Sequence, residues 1–155
     1  MIRIAIIEGD DILRTSLLKS LENENFKVIG ASCAVEFYQK ISNQSLDVVV
    51  IDISLPDYSG FNIIEYLRQN TPLGLVVLTG DGSAENKIKS YQLGADLFIT
   101  KPVDPQELML ACTNLAHRIS EQVDVPTLIE PPQMNSIEQP SWVLNREDWH
   151  ITAPC

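Results

Sequence analysis

Five short apolar runs punctuate the first 120 residues, at 3–7, 27–30, 47–51, 75–78 and 97–100. Val48-Val49-Val50-Ile51 and Leu75-Val76-Val77-Leu78 are apolar at every position, the pattern of strands buried on both faces. Between the runs, apolar positions recur at helical spacing: Ile12, Leu13, Leu17, Leu18 and Leu21 in one segment, Phe61, Ile63, Ile64 and Leu67 in another, and Leu108, Cys112, Leu115, Ala116 and Ile119 in the last. Asp104 followed by Pro105 suits an N-cap and a first helical turn. Gly60 and Gly94 mark turns or points of close approach. Strands alternating with helices predict an α/β fold, a five-stranded parallel sheet flanked by five helices. Right-handed crossovers favour the flavodoxin-like strand order 2-1-3-4-5.

The pattern changes after Ser120. Residues 122–140 contain Pro126, Pro131, Pro132 and Pro140 with little periodicity and read as a Pro-rich linker. Residues 141–155, with Trp142-Val143-Leu144 and Trp149-His150-Ile151-Thr152 around a polar turn, read as two short strands. A lone hairpin is marginal in water, so this one is expected to need a partner surface. The expected division is 1–121, 122–140 and 141–155, one domain with an extended C-terminal tail.

Composition narrows the class. Hydrophobic residues make up 45% and charged residues 21%, ordinary for a globular domain. No apolar run is long enough to cross a bilayer, so no membrane role is expected. Cys33, Cys112 and Cys155 have neither metal-ligand spacing nor a disulfide framework, and a reducing cytoplasm fits them. A formal net charge of −10 argues against nucleic-acid binding by this chain, because phosphate contacts need clustered Lys and Arg.

Chemistry concentrates where an open parallel sheet binds its ligands, beyond the carboxyl ends of the strands. Glu8, Gly9, Asp10 and Asp11 follow the first run, Asp52 ends the third, Thr79 follows the fourth, and Lys101 follows the fifth. An Asp after a strand often only caps the next helix, and Asp10 or Asp11 suits that role. Taken together, acids, one hydroxyl and one ammonium make a site for an oxyanion and a hard divalent cation. Asp52 could attack phosphorus to form an acyl phosphate, with Lys101 and Thr79 contacting the phosphoryl oxygens and Mg²⁺ screening the acids.

These residues resemble the receiver domains of two-component response regulators. The resemblance covers residues 1–120 and rests on Glu8-Gly9-Asp10-Asp11, Asp52-Ile53-Ser54-Leu55-Pro56-Asp57-Tyr58-Ser59-Gly60, Thr79-Gly80, Gly94-Ala95-Asp96 and Lys101-Pro102. It implies a CheY-like fold, Asp52 as phosphoacceptor, Thr79 as switch hydroxyl, Lys101 as the family's lysine before a cis proline, and Phe98 as switch aromatic. Ser54 and Asp81 would flank the site and tune attack of water on the acyl phosphate. The implied partner is a sensor histidine kinase, and the implied role is signal transfer rather than enzymatic turnover of an external substrate.

Two departures follow from the same resemblance. Family members have an acidic pair after the first strand, whose second acid binds Mg²⁺. Here Glu8 holds the first position and Gly9 the second. Glu8 and Asp52 remain as metal candidates, with Asp10 as a third, and weakened Mg²⁺ binding with slow or conditional phosphorylation is expected. The second departure lies on the face of the fourth helix, fifth strand and fifth helix, where DNA-binding members form homodimers through charge pairs. Asp96, Lys87 and Lys89 are kept, but Leu97 and Ala111 replace an acid and an arginine, so a dimer face here should be more apolar. The tail resembles the opening of the winged-helix effector domain of OmpR-type transcriptional regulators, cut off after its first hairpin; DNA would be bound only through the missing part. The alternative function is a phosphorylation-independent interaction or dimerisation module, which Gly9 and Leu97 favour. A phosphatase acting on small substrates is disfavoured by the lack of a second general-acid carboxylate.

Overall fold

A computed structural model of the chain describes residues 1–23 and 25–121, together with the strand residues 143–145 and 150–152 as backbone only. The expected linker and most of the expected effector fragment lie outside the described residues. Ten elements alternate through the first part: β1 (Ile2–Ile7), α1 (Asp11–Leu21), β2 (Phe26–Ala31), α2 (Ala34–Lys40), β3 (Val48–Asp52), α3 (Gly60–Asn70), β4 (Gly74–Thr79), α4 (Ala84–Leu93), β5 (Leu97–Thr100) and α5 (Pro105–Ser120). The strands form one parallel sheet in the order β2-β1-β3-β4-β5. Beyond it, β6 (Val143–Asn145) and β7 (His150–Thr152) pair antiparallel, Leu144 opposite Ile151.

Period-two alternation on the central strands splits the core into two layers. Ile4, Ile6, Val48, Val50, Val76 and Leu78 face Leu17 and Leu21 of α1 and Leu108, Cys112 and Leu115 of α5. Ala5, Ile7, Val49, Ile51, Leu75 and Val77 face Phe37 and Tyr38 of α2 and Ile63, Ile64 and Leu67 of α3. Each fully buried aliphatic side chain contributes about 1.5–3 kcal/mol, and both faces of β3 and β4 are covered, which explains their unbroken apolar runs. Burial pushes the Cys112 thiol up to about 12, so it behaves as a small apolar group.

The helix starts are set by short-range polar contacts. Asp104 accepts from the Gln106 N–H, with Pro105 in the first turn of α5. Ser59 caps α3 and Ser83 caps α4. The short α2 has a local cap, Cys33 Sγ accepting the Glu36 N–H at 3.5 Å, and a distant one, because Asp57, from the loop after β3, accepts the Ala34 and Val35 N–H groups at 3.0 and 2.9 Å. At the other end of α4, Gly94 takes φ 110°, a left-handed C-cap that a side chain would strain.

Candidate functional site

The carboxyl ends of β1, β3, β4 and β5 bring Glu8, Asp52, Thr79 and Lys101 into one crevice. Parallel register places Asp52 opposite Leu78, next to Thr79, and the Lys101 N–H donates to the Thr79 carbonyl at 2.8 Å. Both acids are buried, Glu8 being 1% and Asp52 4% exposed. Behind Asp52, Gly60 opens α3 so close to the strand that an added Cβ would stand 2.3 Å from the Asp52 carbonyl oxygen. Only glycine lets α3 start there.

One ammonium serves both carboxylates. Lys101 Nζ lies 2.7 Å from Glu8 Oε2 and 3.3 Å from Asp52 Oδ2. The other oxygens accept from main-chain N–H groups, Glu8 Oε1 from Asp10 and Asp52 Oδ1 from Ser54, each at 3.0 Å. Glu8 Oε2 is buried and, apart from its ion pair, has no aligned hydrogen-bond donor among the described residues. Desolvation raises the Glu8 carboxyl above its usual range, and the Asp52 charge adds to this, against opposing contributions from Lys101 and the Asp10 N–H. Burial pulls the Lys101 ammonium down, but Glu8 and Asp52 outweigh it and the net displacement is upward.

The remaining sequence candidates are placed as follows. Asp10 Oδ1 accepts from the Ile12 and Leu13 N–H groups at 2.9 and 3.1 Å, so this carboxylate caps α1. Thr79 is buried, and its hydroxyl accepts from the Asp81 N–H at 3.1 Å. Asp81 itself accepts from the Ser83 N–H and the Asn86 amide at the start of α4. Phe98 on β5 is half-buried against the α2–α3 layer. The peptide bond from Lys101 to Pro102 is cis. Sequence reasoning missed Asp57, whose grip on α2 joins the loop after β3 to the loop after β2. Its place one residue after Pro56 gives no hint of that distant contact.

The donor set is made of oxygens, the kind a hard cation takes. Two carboxylates face the crevice. At Gly9 an added Cβ would meet only Pro56 Cδ at 3.6 Å and the carbonyl oxygens of Ser32 and Ser54 at 3.8 and 4.0 Å. Among the described residues no group of three or more His, Cys, Asp or Glu side chains is arranged to hold a metal ion. Such a site can nevertheless hold an anion against Lys101 and a cation against the two acids.

A five-stranded doubly wound sheet with buried acids and a lysine at the carboxyl ends of its strands defines the CheY-like class of signalling domains. Residues 4–113 match the response regulator receiver domain family, and the chain belongs to it. Over 115 residues it is 34% identical to the aerobic respiration control protein ArcA of Escherichia coli (strain K12), covering 74% of this chain and 48% of ArcA. The chain spans about half the length of the curated relatives it matches. A CheY-like receiver domain protein from Methanospirillum hungatei superposes with a TM-score of 0.74 at 31% identity, covering 79% of this chain and 99% of that one. DrrB, an OmpR/PhoB homologue from Thermotoga maritima, gives 0.69 at 27%, covering 76% and 54%. The DrrB receiver domain, also solved as BeF3 activated, gives 0.70 at 27%, covering 76% and 99%.

Proposed function

We propose that this receiver domain accepts a phosphoryl group on Asp52 from a sensor histidine kinase and passes the signal to an output face, in the longer protein to transcriptional control. The observation that carries the reading is the Asp52 carboxylate, buried at the strand end with one oxygen fixed by Ser54 and the other beside Lys101. Asp52 Oδ2 attacks phosphorus, a new O–P bond forms, and the P–N bond of a phosphohistidine breaks with the imidazole leaving. Lys101 then contacts the phosphoryl oxygens, and the Thr79 hydroxyl leaves its Asp81 turn to donate to them. Phe98 turns inward into the space Thr79 vacates. Ser54 and Asp81, on the two flanking loops, control the approach of water to the acyl phosphate. No external substrate is turned over, so the domain is a signalling element rather than an enzyme.

Glu8, Asp52 and the Ser54 carbonyl would hold a Mg²⁺ ion, which supplies positive charge to the phosphoryl oxygens. With Gly9 in place of a third acid, its affinity is reduced. Gly9→Asp, for which there is room, should restore it.

Ile88 and Tyr91 of α4 and Leu110 of α5 are exposed large apolar side chains, being 56%, 43% and 55% accessible. Beside them Leu97, Ala111, Asn114, His117 and Arg118 line an open groove of about 490 Å³. This α4-β5-α5 face is the proposed homodimer surface. Asp96 is engaged within its own chain by Arg68 at 2.7 Å, so a dimer would rest on apolar contact more than on charge pairs and resist salt. Leu97→Asp should weaken self-association, measured by sedimentation with and without the phosphoryl group.

The second reading, a phosphorylation-independent interaction module, is favoured by Gly9 and by the Lys101 contact with Glu8. Intact-mass measurement after treatment with acetyl phosphate and Mg²⁺ separates the two. A gain of one phosphoryl group that Asp52→Asn abolishes supports phosphotransfer. No gain under forcing conditions supports the interaction module.

A further inference from the structure

The tip of the loop after β3 is tied to the start of α2 through one side chain. Asp57 Oδ1 accepts from the Ala34 N–H at 3.0 Å and from its neighbour's, Tyr58, at 2.8 Å, while Oδ2 accepts from the Val35 N–H at 2.9 Å. The local cap, Cys33 Sγ on the Glu36 N–H, leaves the first two N–H groups of α2 to this carboxylate. Bonds of this kind gain from the charge of the acceptor, and a helix start favours an anion. A seven-residue helix is too short to stand alone, so α2 is held by what it buries, with Ala34, Phe37 and Tyr38 at most 1% exposed. α2 is the fixed post, and Asp57 ties the loop to it.

At its base the same loop carries the group that orients Asp52. The Ser54 N–H donates to Asp52 Oδ1 at 3.0 Å. A bridge between Ser54 and Ser59, and the Gly60 N–H on the Ile53 carbonyl at 2.9 Å, close residues 53–60 on themselves. Ser54, Pro56, Asp57 and Ser59 are exposed, and Leu55 and Tyr58 are only partly buried. Burial therefore does little to fix where the Ser54 N–H points. A loop closed in this way moves as a unit, and Asp57 pins its far end.

We propose that Asp57 is a positioning residue for Asp52: its carboxylate fastens the loop after β3 to α2 and so fixes the Ser54 N–H that holds Asp52 Oδ1. This rests on Asp52 being the phosphoacceptor. With Oδ1 held, Oδ2 is left to face the incoming phosphorus, where the O–P bond forms as acetate leaves acetyl phosphate. An untethered loop lets the carboxylate turn, and a small misplacement of an attacking atom is costly in rate.

The test follows amide hydrogen exchange by NMR and the rate of phosphoryl uptake from acetyl phosphate and Mg²⁺ by intact mass. Both are measured on the whole chain, below every melting transition, for the parent, Asp57→Ala, Asp57→Asn and Asp96→Asn. Asp57→Ala should lose protection at Ala34 and Val35 and, with them, at Ser54. Its uptake should be roughly ten- to a hundred-fold slower than the parent's. Asp57→Asn keeps one acceptor oxygen, and both of its readouts should lie between those two proteins. Asp96→Asn, which gives up stability at the opposite edge of the sheet, should leave Ser54 protection and the uptake rate unchanged. Ser54 protection unaltered in Asp57→Ala overturns the inference and leaves Asp57 as a cap of α2 alone. So does an Asp57→Ala uptake rate equal to the parent's, or an Asp57→Asn rate no faster than that of Asp57→Ala. Should Asp57→Ala not fold, Asp57→Asn against the parent decides by the same two readouts. If the parent takes up no phosphoryl group, the phosphoacceptor reading falls and this inference with it, even where Ser54 loses protection.

Discussion

The two edges of the sheet carry the same residue types and use them differently. At the amino ends of the strands, Asp47 accepts from the Arg3 main-chain N–H at 2.8 Å and from two guanidinium nitrogens at 3.1 Å. Asp96 accepts from the Leu75 N–H at 2.8 Å and from Arg68 at 2.7 Å, while Arg68 also holds the Gly94 carbonyl. Each acid there has its own arginine and main-chain donors as well. At the carboxyl ends, Glu8 and Asp52 are more deeply buried and divide one lysine between them. Well-bonded carboxylates hold strands and loops together. Under-neutralised ones are held in place by the rest of the fold, which is what the proposed phosphoryl chemistry at Asp52 requires.

The comparison breaks most severely where the reactive edge is tied to the scaffold. Gly60→Ala drives a Cβ into the backbone of Asp52 and Ile53, and should cost about 3 kcal/mol in chemical denaturation. Phosphoryl uptake should fall with it, because the strand end must move. At the amino edge, Asp96→Ala takes an acceptor from the Leu75 N–H and leaves the Arg68 guanidinium with the Gly94 carbonyl, for a loss of about 2 kcal/mol. At the reactive edge the sign reverses. Glu8→Gln removes a carboxylate whose pKa burial has raised; such a group contributes stability below its ordinary value of 4.5 and loses that contribution as pH rises. The variant should therefore be the more stable protein at neutral pH, by about 1 kcal/mol, while binding Mg²⁺ less well.

The smallest effect belongs to Glu36 on α2. Lys40 and then Ser32 pull its carboxyl down to about 2. A lowered carboxylate contributes stability above its unfolded value of 4.5 and loses it as pH falls toward 2. Glu36→Gln should flatten that acid loss by well under 1 kcal/mol, since the pair is largely solvated. Denaturation midpoints across that range would show it.

Much of this was legible beforehand because it is written locally. The apolar runs locate all five strands to within one or two residues, and Asp104-Pro105 marks the start of α5. The ends of the first, third, fourth and fifth runs also name the residues that reach the crevice. What sequence does not carry is how those residues divide their bonds once assembled. Lys101 could face Asp52, Glu8 or solvent from its position after β5, and burial of Glu8 decides between them. Asp10 reads as a metal candidate or a cap, and the first turn of α1 claims it. The short α2 has no strong periodicity and starts where Asp57 meets it, a contact made only when the loops after β2 and β3 come together. Asp96 reads as a charge free for a partner, whereas Arg68 lies on α3 and takes it within the chain.

The most direct measurement is the thermal stability of two identical replacements at opposite edges, Asp52→Asn and Asp96→Asn, followed alongside phosphoryl uptake by intact mass. Asp96→Asn should melt lower than the parent, by about 1–2 kcal/mol of stability, and still take up phosphoryl. Asp52→Asn should melt no lower than the parent, because Glu8 and Lys101 are left as a balanced pair, and should take up none. An Asp52→Asn protein destabilised as much as Asp96→Asn would contradict the division of labour between the two edges.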